Sequence, residues 1–153
     1  MNALGGARER LWAFVRRWLG MRGGGRVPSA ARDTAVQLAK DFAGYRHDVF
    51  DSSFREASSR RWLTRRLRMG NCADLAALAV SRFRSAGVVA HGVRGHLRWR
   101  DGAGHHFWVT YRDDDDGSWH FFDPTAATYH GPRGALDPRS SGWRYRDYGE
   151  RYT

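Results

Sequence analysis

The chain has one thiol, Cys72, which follows Gly70-Asn71 and leads into the apolar run ADLAALAV. In the first turn of a helix, backbone N–H groups lack intrahelical partners and the helix dipole favours negative charge, so a thiolate placed there is stabilised. Asn71 is suited to capping that helix, and Gly70 permits close approach of backbone or substrate. Taken alone, such a cysteine reads equally well as a small buried hydrophobe. A downstream pair favours chemistry. One of two histidines heads an aromatic strand within GHHFWVTY, and Asp123 ends the next within WHFFDPT. Adjacent antiparallel strands can set an imidazole beside a carboxylate, which fixes the tautomer and stabilises imidazolium. Thiol, imidazole and carboxylate together make an activated nucleophile for attack on a carbonyl. His105 and His106 are alternatives for the imidazole, because strand neighbours point to opposite faces and only one can meet Cys72.

The elements that must position these groups follow from periodicity. From Cys72 to Ala86, residues Cys72, Leu75, Ala76, Ala79, Phe83 and Ala86 form one apolar stripe, Asp74, Ser81 and Ser85 lie opposite, and Gly87 sits where a left-handed cap is expected. Beyond it the period becomes two: Val89, His91, Val93, Leu97 and Trp99 predict the buried face of a strand, with a tight turn at Asp101-Gly102-Ala103-Gly104. Residues 105–112 and 118–123 predict two further strands, giving an antiparallel meander packed on a buried helix and an α+β fold class.

Upstream, Pro28 and Ser29 introduce a helix over residues 30–45 carrying Ala35, Leu38, Ala39, Phe42 and Tyr45 at helical spacing. Ser53-Phe54-Arg55-Glu56 has capping-box form and predicts a helix to about residue 68. Its other positions hold Arg60, Arg61, Arg65, Arg66 and Arg68, either a solvated face or a patch that docks an anionic surface. The acidic run Asp113 to Gly117 lacks the spaced ligands of a calcium loop and reads as a solvated hairpin, and the histidines show no metal spacing, so no metal or other cofactor is expected. Residues 125–153 have no clear period and read as loop wrapping the core or as partly disordered, carrying no chemistry.

With 153 residues and 41% hydrophobic content, the chain can build one globular core. The formal net charge of +10 is almost entirely arginine, Lys40 being the single lysine, and favours anionic surroundings without a recognised nucleic-acid motif. Residues 7–21 predict a basic amphipathic helix, with Leu11, Phe14, Val15, Trp18 and Leu19 on one face. It would either lie on an anionic membrane or pack on its own domain, and Gly23, Gly24 and Gly25 link it onward. Arginines interrupt its apolar part, which a secretory signal avoids, and the expected location is cytoplasmic, with peripheral membrane contact through this helix.

The order GNCADLAALAVSRFRSAGVVAHGVRG, GHHFWVTY, WHFFDPT resembles the transglutaminase-like superfamily of papain-type cysteine enzymes: a cysteine opening a glycine-ended helix, a His-x-Trp-Val strand and an Asp-Pro-Thr after an aromatic strand. The likeness covers about residues 70–125. It implies Cys72 as nucleophile, His106 rather than His105 as base, and Asp123 as the residue orienting the base. It implies a domain over 28–153 with its core at 70–125, preceded by the helix and linker of 1–27. It further implies a cysteine peptidase or amidase, or a cross-linking acyltransferase, acting on a protein or peptide amide or glutaminyl group through an acyl-thioester. The spacing from Cys72 to His106 (106 − 72 = 34) is short for the family, and no upstream oxyanion donor identifies itself. The Cys72 N–H is one candidate, and Asn71, Trp62 and Trp108 are candidate oxyanion or substrate contacts. The competing reading is a non-catalytic basic scaffold, with a degenerate triad, that binds nucleic acid, an anionic polymer or a membrane surface.

Overall fold

The computed structural model describes residues 29–49 and 53–153; the helix and linker expected over 1–27 lie outside them. Ser29 caps helix α1 (Ala30–Phe42), its hydroxyl accepting from the Arg32 N–H at 3.0 Å, and the Ala31, Ala35, Leu38, Ala39 and Phe42 stripe is buried. The helix stops three residues before the expected Tyr45, whose ring turns back to lie 4.9 Å from that of Phe42. The Ser53–Glu56 capping box forms, but the helix it opens is two: α2 (Phe54–Ser59) and α3 (Arg61–Leu67). The break falls at Arg60, which leaves helical geometry and bonds the Asp74 carboxylate at 2.8 Å. Two short strands, β1 (Arg46–His47) and β2 (Met69–Gly70), pair in parallel and lead into α4 (Cys72–Ser85).

Helix α4 is the hub. Its first half is buried all round, with Ala73, Ala77, Leu78 and Val80 joining the expected stripe. Asp74, expected on the exposed side, is 6% exposed; Arg60 and the Asn71 N–H hold its carboxylate. A buried charge needs such partners. The helix ends as expected, with Gly87 at φ 79°, its N–H on the Arg84 carbonyl and the Val88 N–H on that of Phe83, a Schellman closure.

Strands β3 (Ala90–Trp99), β4 (Gly102–Arg112), β5 (Trp119–Phe122) and β6 (Arg144–Tyr152) form one antiparallel sheet in the order β5-β4-β3-β6. The β3–β4 turn is Arg100-Asp101, earlier than expected. Gly102 belongs to β4 because the Trp99 ring folds over it, leaving 2.9 Å for any Cβ there. The face of β3 toward α4 is Ala90 and Gly92, not the expected Val93 and Leu97: a Cβ on Gly92 would lie 2.4 Å from the Phe54 ring, so the small residues admit the helical layer. On β4 and β5 the same face presents Phe107, Val109, Tyr111 and Phe122, and Phe83 of α4 stacks on Tyr111 at 4.9 Å. Val93, Leu97, Trp108 and Phe121 look the other way, where Leu97 pairs with Tyr145 of β6 and the Trp108 and Phe121 rings lie against it.

The segment after residue 124, expected as loop, is instead helix α5 (Pro124–Leu136) and strand β6. Gly131, at φ 71° and ψ −170°, interrupts α5, and Gly131-Pro132 hides its period. The acidic hairpin is also less solvated than expected. Asp113 is buried, with Arg32 2.6 Å from its carboxylate, and Asp113, Asp116 and His120 place ligand-type atoms within 4.8 Å of one another. Among the described residues no helix is long and apolar enough to cross a membrane.

Candidate active site

Cys72 opens α4 directly after its N-cap. The Asn71 side-chain carbonyl accepts from the Asp74 N–H at 2.9 Å, and Asp74 in turn accepts from the Asn71 N–H at 3.1 Å, a capping box with asparagine and aspartate in place of serine and glutamate. Gly70 is required by this box rather than by a ligand, because a Cβ there would sit 2.6 Å from Asp74 Cβ.

His106 comes to the thiol by an unexpected route. Phe107, Val109 and Tyr111 occupy the β4 face against α4, so the histidine of that parity is His105, which is exposed and 3.3 Å from the Tyr148 hydroxyl. His106 lies on the opposite face, 4% exposed. The two layers meet at the sheet edge. Strand β5 ends at Phe122 opposite Val109, so β4 beyond that point has no strand on this side. The start of α4 lies against this open edge. There the Cys72 thiol takes the Phe107 backbone N–H and reaches the His106 imidazole.

Asp123 follows β5 directly, caps α5 and is fully buried. Its Oδ1 accepts the Thr125 and Ala126 N–H groups at 2.8 and 3.1 Å; its Oδ2 lies 2.8 Å from His106 Nε2 and 2.8 Å from the Tyr145 hydroxyl. With Nε2 engaged by the carboxylate, Nδ1 is the nitrogen left for the thiol. Trp108, Trp143 and Tyr145 surround the imidazole, each with its ring centre 6.1 Å away.

The electrostatics follow. Burial pushes the Cys72 thiol up, but hydrogen bonds from His106 and His47, the His106 charge and the Phe107 N–H outweigh it and bring the thiol down to about 6. Burial pushes His106 down, and the Asp123 charge and hydrogen bond, with the thiol, overcome this and raise it to about 10. Both shifts describe one interaction, so the two values belong to the pair. Between them the pair is thiolate and imidazolium.

A family model for the transglutaminase-like superfamily matches residues 26–124. The chain belongs to the transglutaminase-like superfamily. No curated protein and no solved structure matches it. The α+β architecture, with 43% helix and 31% strand among the described residues, agrees with the superfamily core. The match stops at Pro124, the first residue of α5, and short of β6, so Tyr145 lies outside it.

The other expected contacts are placed as follows. Trp62 stands 68% exposed on α3, Trp108 is buried beside His106, and the Asn71 carbonyl is committed to the cap. In the arginine cluster, Arg60 is taken by Asp74 and Arg68 by Asp41, while Arg61, Arg65 and Arg66 are exposed. A hollow of about 370 Å³ lined by Phe54, Arg61, Val80, Arg84 and Thr153 carries neither thiol nor imidazole.

Two participants escape a reading of the sequence. Tyr145 lies in the aperiodic tail. His47 belongs to a strand of two residues, too short to show a period, yet its side chain also bonds the Cys72 thiol.

Proposed function

We propose that the protein is a cysteine amidase or acyltransferase that opens an amide or isopeptide bond of a protein or peptide through an acyl-thioester on Cys72. The observation that carries this reading is the hydrogen-bonded chain from Tyr145 through the buried Asp123 and His106 to a thiol held near 6. Such a chain keeps a thiolate and an acid poised together at neutral pH.

In the first step the thiolate attacks the carbonyl carbon, the C–S bond forms and the carbonyl π pair moves to oxygen. The Cys72 backbone N–H, in the first turn of α4, is positioned to donate to that oxyanion. The pair then returns, the C–N bond breaks, and His106 Nδ1–H gives its proton to the departing amine. His106, now neutral, takes a proton from water or from an acceptor amine as that group attacks the thioester, and Cys72 is released. Hydrolysis and cross-linking share every step up to the thioester and differ only in the acceptor.

The test is stoichiometric labelling by iodoacetamide near pH 6, comparing the native protein with His106→Ala. Rapid labelling of the native thiol that slows in the variant is expected. A thiol that labels only on denaturation, or equally fast without His106, overturns the reading.

A further inference from the structure

We propose that His47 is a catalytic oxyanion donor: its Nε2–H, with the Cys72 backbone N–H, holds the negative oxygen formed when the thiolate adds to an acyl carbon. This rests on the reading of Cys72 as an acyl-accepting nucleophile and assigns the donor that the sequence leaves unidentified.

Two imidazoles reach the thiol, and their surroundings give them different work. His106 is backed by the buried Asp123 carboxylate, which suits a proton carrier. His47 is backed by a phenol: its Nδ1 lies 2.8 Å from the Tyr129 hydroxyl on α5. In the tautomer where the phenol donates to Nδ1, the ring proton is on Nε2, which leaves an N–H donor for the thiol side of the ring.

The backbone holds this donor in place. His47 pairs with Gly70 in the β1–β2 ladder, and the Asp48 N–H bonds the Gly70 carbonyl at 2.9 Å. The ring is thereby fixed across from the residue two positions before Cys72. A donor beside the sulfur in the ground state lies next to any oxygen on the carbon that bonds to that sulfur. Preorganised donors of this kind need no rearrangement as charge develops. In the step itself the C–S bond forms, the π pair becomes the oxyanion lone pair, and His47 donates a hydrogen bond without transferring its proton.

Two reagents separate this role from mere activation of the thiol. Iodoacetamide alkylates a thiolate by direct displacement, with no oxyanion, whereas p-nitrophenyl acetate acylates it through a tetrahedral one and releases p-nitrophenolate. With the full chain at about pH 8, where the thiolate predominates, His47→Ala should slow the p-nitrophenolate burst by about 10²–10³-fold, as removal of one oxyanion donor does. Alkylation should fall by less than about threefold. His47→Gln, which keeps an N–H, should recover at least about tenfold of the lost acylation rate, and Tyr129→Phe should slow acylation selectively. Equal loss of both rates in His47→Ala would make His47 a tuner of the thiolate and overturn the inference, as would a glutamine variant that folds but is no faster than alanine. If the native protein gives no burst, or His106→Ala alkylates as fast as native, the acyl-enzyme reading itself fails and takes this one with it.

Discussion

Tyr145 donates its phenol hydrogen to the same oxygen of Asp123, Oδ2, that faces His106 Nε2, each contact being 2.8 Å long. The last strand of the sheet thus finishes a site that begins at the first turn of α4. With Thr125 and Ala126 on Oδ1, four donors surround a carboxylate with no access to water. A buried charge of this kind is tolerable only when so satisfied.

Tyr145→Phe should therefore cost about 1.5–3 kcal/mol, the usual worth of a hydrogen bond to a charged group. Urea unfolding should show a lower midpoint at unchanged slope. A variant as stable as native would mean that the phenol contributes packing alone.

The alkylation rate of Cys72 should rise with pH through about 6, the point to which its hydrogen bonds depress the thiol, and not through the ordinary thiol range. The sign is that of a depressed acid: the reactive thiolate is present above the folded value and lost below it. Asp123→Asn removes the charge that raises His106, so the imidazolium that supports the thiolate weakens and the profile moves up. The rate near pH 6.5 should fall by about threefold for a profile moved up one pH unit and by about 25-fold for two, as the thiolate fraction falls. An unmoved profile would show that the carboxylate does not act on the thiol through His106.

At the N-cap, stability and reactivity should separate. Asn71→Ala loses the acceptor of the Asp74 N–H and should cost about 1 kcal/mol. Asn71→Asp keeps an acceptor and should stay within about 0.5 kcal/mol of native, while its charge beside the thiolate moves the alkylation profile to higher pH. Thermal unfolding of the first variant and the alkylation profile of the second check the pair.

Gly95 is where strand packing meets the site. A Cβ there would lie 2.2 Å from the Arg146 carbonyl and 2.3 Å from the Trp108 ring, so β6 must move away and take Tyr145 with it. Gly95→Ala should cost about 1–3 kcal/mol by overpacking and slow alkylation near pH 6.5. Gly104→Ala, whose Cβ would meet only the Trp99 ring at 3.7 Å, should stay within about 0.5 kcal/mol. Equal effects at both positions would detach Gly95 from the site.

Much of the frame was legible because it rests on local rules. Apolar spacing marks α1 and α4, Asn71 and Gly87 bound α4, and alternation with turn residues marks the β3–β5 meander. These signals lie within a few residues of the structures they specify. The break at Arg60 was not legible, because it answers to a carboxylate fourteen residues on. Nor was the helical face of β3, since Ala90 and Gly92 are buried for being small and alternation rewards only the large. Residues 125–153 concealed α5 and β6 behind Gly131-Pro132 and a charged edge strand whose pairing with β3 is wholly nonlocal.

The site divides in the same way. Residue types in order, a cysteine at a helix start, a histidine in an aromatic strand and an aspartate after the next, named Cys72, His106 and Asp123. Tertiary structure decided how they meet: β5 ends one residue before Asp123, and the free edge of β4 lets a histidine of the far face reach a thiol on the helical side. It also brought in His47 and Tyr145, which carry no local signal because their partners come from chain segments far away in sequence. Sequence determined which groups were available, through propensities that act over one or two turns. Only packing of the sheet edge against the start of α4 decided which of them share a proton.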